Sequence, residues 1–253
     1  MNIISLQSGS NGNCIYVESE NIKLLFDAGI SGKQAAERLT RAGRDITDID
    51  ALVISHDHSD HIKYAGIYQR KFGMRLCITE KTLRAARSRH ELGEIDQIEH
   101  FKSGGTIHFG HLKVETIATP HDGADGVSFI IDDGRSRFGI FTDVGHVYGD
   151  LKNAVESVDA ALIESNYDPA MLQRGPYPGF LKKRITGPAG HISNTESAEL
   201  IAQYGSRLRW VCLGHLSAEN NSPALALSAH AKINPSMICH LADRYAAGDI
   251  LSI

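Results

Sequence analysis

The chain has 253 residues, 42% hydrophobic and 22% charged, with a formal net charge of −4. That composition describes a soluble globular protein and excludes a generally basic nucleic-acid coat, although a local basic patch stays open. No apolar run approaches the ~18 residues of a membrane span.

Met1-Asn2-Ile3-Ile4-Ser5 has no basic region and no long apolar core, so no signal peptide is expected. Four scattered cysteines, Cys14, Cys77, Cys212 and Cys239, form no C-x-x-C pair. They suggest reduced, mostly buried thiols and a cytoplasmic setting. Residues 3–7, 14–18 and 22–27 read as short strands, with the turn-rich Ser8-Gly9-Ser10-Asn11-Gly12-Asn13 between the first two. The third ends in Asp27, a carboxylate closing an apolar strand. It either caps the helix expected over 32–42 or holds a neighbouring polar group in place.

A strand over 51–55 leads into His56-Asp57-His58-Ser59-Asp60-His61, followed by a helix from about Lys63 to Phe72. A strand over 75–79 precedes a basic helix capped by Thr79, whose Arg84 and Arg87 suit either a solvated face or a phosphate-binding surface. Residues 106–109, 112–118, 127–132 and 137–142 read as an antiparallel meander with a turn at Asp132-Asp133-Gly134. Helix and strand then alternate: a helix over 151–155 and a buried strand over 160–164. Asp168-Pro169 opens a helix, and a Ser193/Glu196 capping box precedes another. A strand over 210–213 ends at Gly214-His215, and Ser222-Pro223 starts a further helix. Strands over 237–241 and 249–253 close the chain. With no linker or low-complexity tract between the two loosely repeating halves, the pattern predicts a single domain over 1–253. Its fold class is α/β, a four-layer αββα sandwich.

Three imidazoles and two carboxylates within six residues point to a divalent metal, because imidazole nitrogen and carboxylate oxygen are its usual donors. The other polar residues that end apolar strands are His121, Asp143 and His215. If the loops gather at one end of the strands, His56, His58 and His121 can hold one ion. Asp60, His61 and His215 can then hold a second, with Asp143 between them.

The H-x-H-x-D-H motif, the strand aspartate before it and the later His, Asp and His in this order resemble the metallo-β-lactamase superfamily. That resemblance implies an αββα sandwich with a dinuclear site at its edge. Leu6 to Asn13, Glu164-Ser165-Asn166-Tyr167-Asp168, Gly175-Pro176-Tyr177-Pro178, Gly190 to Asn194 and His215 to Asn221 look like the YycJ/WalJ-type exonuclease group. This implies 5′-to-3′ exonuclease activity on double-stranded DNA. The short span between Asp143 and His215 leaves no room for the inserted clamp domain of the β-CASP nucleases, as the group implies.

A water shared by two cations ionises near neutral pH and can attack phosphorus in line. Asp60, Asp27 and His191 are the expected catalytic set, with His191 protonating the leaving oxygen from beside a helix N-terminus. Asn166 and Tyr167 are expected to line the cleft. Arg84, Arg87, Arg174, Lys182, Lys183 and Arg184 are expected to track the DNA backbone. Zinc and manganese suit the donors, and iron is possible. No other cofactor is expected, and the sequence says nothing of oligomeric state. The same ligands could serve a small ester, thioester or cyclic phosphodiester hydrolase. They could also staple a non-catalytic binding module. A flavodiiron oxidoreductase fits less well, because that pattern has Glu where this chain has His58.

Overall fold

A computed structural model describes all residues, 1–253. The first half runs β1 (Asn2–Gln7), β2 (Cys14–Ser19), β3 (Ile22–Phe26), α1 (Gly32–Arg41), β4 (Ala51–Val53), α2 (Ser59–Ile62), α3 (Ala65–Phe72), β5 (Arg75–Ile78), α4 (Glu80–Arg89) and β6 (Ile98–His100). The second runs β7 (Thr106–Phe109), β8 (Leu112–Ala118), β9 (Val127–Asp132), β10 (Arg137–Phe141), α5 (Gly149–Ser157), β11 (Ala160–Glu164), α6 (Pro169–Arg174), α7 (Gly179–Ile185), α8 (Asn194–Tyr204), β12 (Trp210–Gly214), α9 (Pro223–Ile233), β13 (Ile238–Leu241) and β14 (Leu251–Ser252).

The strands form two seven-stranded sheets, ordered β14-β1-β2-β3-β4-β5-β6 and β13-β12-β11-β10-β9-β8-β7. Each sheet is antiparallel on one side and parallel on the other, with β3 to β6 and β10 to β13 running parallel. The central strands are apolar on both faces because each face meets a different layer. On β3, Leu24 and Phe26 point between the sheets, while Leu25 points at the helices. On β12, Trp210 and Cys212 point inward, and Val211 and Leu213 outward. Phe26 and Phe129 meet across the interlayer with ring centroids 5.0 Å apart. α1, α3 and α4 cover the first sheet, and α5, α8 and α9 the second. The αββα sandwich expected from the sequence is the fold observed.

Several boundaries differ from the expectation for local reasons. The helix expected from Lys63 is broken into α2 and α3, so Asp60 and His61 sit on a helical turn. Asp27 does not cap α1; Ser31 does, in a capping box with Gln34. Two elements carry no pattern to read. β6 is three residues long and exists by pairing with β5, and α7 buries none of its residues.

At the rim where the parallel strands end, the two sheets are stitched together. Val127 N–H donates to Ser55 O at 3.1 Å, and His215 N–H donates to Ser8 Oγ at 2.9 Å. The turn after β3 crosses the His loop at close range. Ala28 N–H donates to His61 O at 2.6 Å, and Asn13 N–H to Asp60 O at 2.7 Å. Gly29 permits this crossing, because a Cβ there would lie 1.8 Å from Asp60 O. Gly29→Ala is therefore expected to destabilise the protein by about 2–4 kcal/mol or prevent folding. A thermal melt superimposable on that of the wild type would rule out so tight a crossing.

Candidate metal centre

Each strand that reaches this rim delivers one polar side chain. β3 leads to Asp27, β4 to His56 and the residues after it, β8 to His121, β10 to Asp143, and β12 to His215. Glu164 is the last residue of β11. Asp27, Asp143 and His215 all have positive φ, at 64°, 54° and 54°. A left-handed residue at a strand end turns the chain sharply and costs of order 1–3 kcal/mol for a non-glycine residue, less for aspartate than for most. Three such residues at one rim mark where the fold tolerates strain.

The side chains converge as the sequence predicts. Donor atoms of His56, His58 and His121 lie within 4.8 Å of one another, and so do those of Asp60, His61 and His215. Asp143 stands between the two trios. Its Oδ2 is 3.1 Å from His61 Nε2, and its Oδ1 is 3.6 Å from His121 Nε2 and 3.4 Å from His215 Nδ1. His56 Nε2, Asp143 Oδ2 and His215 Nε2 are buried, yet none makes a well-directed hydrogen bond. Unpaired buried polar atoms are costly, and three aimed into one cluster of N and O donors are the arrangement a divalent cation satisfies. The donor set therefore fits metal.

Behind the cluster lie two buried carboxylates with matching tasks. Asp27 accepts from His61 Nδ1 at 2.7 Å and from Ser55 N–H and Oγ at 2.8 and 2.9 Å. Glu164 Oε1 lies 2.7 Å from His191 Nδ1 and 3.0 Å from His215 Nδ1, while its Oε2 accepts from Val144 and Ile192 N–H. Both hold a ring by Nδ1 and so turn Nε2 toward the cluster. Glu164 is not among the expected site residues, although it carries the same signature as Asp27, a carboxylate closing an apolar strand, here Ala160-Ala161-Leu162-Ile163-Glu164.

Two further residues, Asn13 and Asp57, support the site without any local sign in the sequence. Asn13 places Nδ2 2.9 Å from His61 Nε2, with its amide fixed by Gly9 N–H donating to Oδ1. Asp57, fully buried, pairs with Arg89 of α4 and accepts from Ala124 N–H at 2.6 Å. It therefore buckles the His loop to its surroundings.

Without a metal, protons balance the carboxylates. Burial would lower the pKa of His61 and His215, but Asp27, Asp143 and Asp60 hold His61 well above the usual imidazole range. Asp143, Asp60 and Glu164 push His215 up to about 10. Burial would likewise raise the carboxyls, yet neighbouring imidazoles keep Asp143 well below its usual value and Asp60 and Glu164 at about 2. Burial pushes His56 down, so its ring is neutral and ready to donate a lone pair.

The remaining expected residues lie in different places. His191 sits at the mouth, its ring centroid 5.2 Å from His121 and 5.3 Å from His215. Burial opposes charge on it, but Glu164 raises its pKa. Asn166 and Tyr167 are buried under the site rather than open to it, with Asn166 Nδ2 donating to His215 O at 2.7 Å. Arg184 reaches the rim, bonding Asp122, whose Oδ1 is 3.2 Å from His58 Nε2. Lys182 and Lys183 share α7 with it. Arg84 and Arg87 line a separate groove on α4 with Glu80, Leu83 and His100.

The family model described as Beta-lactamase superfamily domain matches residues 23–215, from β3 through to His215. The chain belongs to this superfamily. Among curated proteins it is 41% identical over 226 residues to exodeoxyribonuclease WalJ of Streptococcus pneumoniae, covering 87% of this chain and 83% of that protein. It is 35% identical over 224 residues to exodeoxyribonuclease YycJ of Bacillus anthracis, covering 87% and 84%. Among solved structures, the metallo-β-lactamase fold protein YhfI of Bacillus subtilis superimposes with a TM-score of 0.75 at 15% identity, covering 98% of each chain. These findings mark the chain as a hydrolase with the metallo-β-lactamase fold. No helix is long and apolar enough to cross a membrane.

Two outcomes follow for this superfamily member. Metal loading at neutral pH should release protons, chiefly from His215 and His61, and affinity should therefore rise with pH through the neutral range. Calorimetric titrations in buffers of different ionisation enthalpy check this; enthalpies that do not vary with buffer would contradict it. Glu164→Gln should keep the fold but weaken metal binding about 10- to 100-fold. Competition with a chromogenic chelator gives the affinity, and an unchanged value would remove Glu164 from the site's support.

Proposed function

We propose that this protein is a metal-dependent phosphodiesterase that degrades double-stranded DNA from its ends in the 5′-to-3′ direction. The observation that carries the reading is the pair of donor trios flanking Asp143, with His56 Nε2, Asp143 Oδ2 and His215 Nε2 buried among them without a well-directed hydrogen bond. The names of the WalJ and YycJ relatives support the substrate class.

In this reading His56, His58 and His121 would hold one divalent ion, and Asp60, His61 and His215 would hold another, with Asp143 standing between the two sets. Zinc or manganese suits these donors, and iron is possible. Bound there, such ions would supply Lewis acidity toward the scissile phosphate and a solvent nucleophile at neutral pH. The chain's own residues do the rest. Asp27 and Glu164 keep the rings of His61 and His215 oriented. Asp60 and Asp143 bring the negative charge that draws cations to the rim. Glu164 fixes His191 through Nδ1 and keeps it protonated, leaving Nε2 free to donate to the leaving 3′-oxygen. Asn166 and Tyr167 shape the cleft floor from below. Lys182, Lys183 and Arg184 on α7, Arg174 at the end of α6, and Arg84 and Arg87 on α4 track the phosphates. Four free cysteines, three of them buried, suit a cytoplasmic setting.

Purified protein should shorten end-labelled duplex DNA with manganese or zinc, and both chelation and Asp143→Ala should abolish this. His191→Ala should retain metal and lose about 10²- to 10⁴-fold in turnover. A wild-type protein that leaves duplex DNA intact while cleaving small esters would overturn the reading.

A further inference from the structure

α7 is the one helix of seven or more residues that buries none of them. On it Phe180 is 75% exposed, the most open of the large apolar side chains. Lone exposed apolar residues are ordinary, but three features set this one apart. First, α7 is tethered to the metal centre. Arg184 bonds Asp122, which lies 3.2 Å from His58 and 3.5 Å from His121. The helix also ends against the His191 turn, where His191 N–H donates to Ile185 O at 2.9 Å and a Cβ on Gly190 would fall 2.3 Å from Arg184 O. Second, Phe180 precedes Arg184 by four residues, so the two share one face of α7, with their backbone positions about 6 Å apart along its axis. Third, Lys183 and Arg184, three and four residues after the ring, share its side of the helix in a chain whose net charge is −4. An exposed aromatic beside two cations matches the chemistry of a nucleic acid, whose bases stack and whose phosphates are anionic.

We propose that Phe180 is an end-stacking platform. Its ring packs against the terminal base of a DNA duplex while Lys183 and Arg184 hold the adjoining phosphates, which fixes how far the end enters the metal site. This rests on the nuclease reading and adds to it a residue that recognises the end rather than the backbone. Stacking on an aromatic ring has no sequence requirement, because every base offers a π-face.

The test compares wild type, Phe180→Ala and Phe180→Trp, with Ile238→Ala as a control. Ile238 is 58% exposed but pairs with Trp210 at the opposite end of the strands from the site. Binding is read by anisotropy in chelator, without catalysis, on an open-ended duplex and on the same duplex closed by hairpins at both ends. Turnover is read with manganese on the open duplex and on bis(p-nitrophenyl) phosphate. Wild type, Phe180→Trp and Ile238→Ala should prefer the open duplex. Phe180→Ala should lose that preference and at least about fivefold in kcat/KM on DNA, with ester cleavage unchanged. Wild-type activity on DNA together with an unaltered Phe180→Ala would overturn the platform and leave the nuclease reading standing. Equal loss on DNA and ester would also overturn it, since the ring would then support the site rather than the end. A wild-type protein inert on DNA would overturn both.

Discussion

Two buried carboxylates, one closing a central strand in each sheet, each grip imidazole by Nδ1. Asp27 does this for His61, and Glu164 does it for both His215 and His191. A histidine ring has two rotatable bonds and two donor-capable nitrogens, so an ungripped ring could present either atom in several directions. Fixing Nδ1 removes that freedom and points Nε2 at one place. Both carboxylates also accept backbone amides, Ser55 on one side and Val144 and Ile192 on the other. The grip is thereby anchored in the strands and not only in neighbouring side chains.

That arrangement has an electrostatic consequence. Four acidic residues, Asp27, Asp60, Asp143 and Glu164, stand within reach of the same few imidazoles. Burying so much like charge is unfavourable unless something positive accompanies it. Protonated His61 and His215 supply that charge in the protein alone, and a cation bound by the same atoms would replace those protons. The fold also carries strain at this rim, with left-handed Asp27, Asp143 and His215. It holds them because the sheets are cross-linked there through Ser55 to Val127 and Ser8 to His215.

Around this rigid centre the fold is looser and more polar. α7 hangs on Arg184 and the His191 turn without burying a residue, whereas α4 is tied to the His loop through Arg89 and Asp57. The two basic elements are therefore joined to the site through different aspartates. One is attached to Asp122 and the other to Asp57, the first aspartate of the His loop.

Much of this was readable before any coordinates. The sandwich follows from central strands apolar on both faces, such as Leu24-Leu25-Phe26 and Val211-Cys212-Leu213. The convergence of His121, Asp143 and His215 on the His loop follows from their shared position at strand ends. A strand end is a local property, written in the alternation of a few residues, and parallel strands bring such ends together. Glu164 carried the same local mark as Asp27 and was legible by the same rule. Asn13, Asp57 and the choice of Ser31 over Asp27 as the cap of α1 depend on which segments cross, as at Gly29 against Asp60. Crossings join residues far apart in the chain, and no local pattern records them. The sequence alone thus determined the layers and the residue types that reach the rim. Only the tertiary structure decided which ring faces which carboxylate, because that depends on contacts between loops that no strand or helix period encodes.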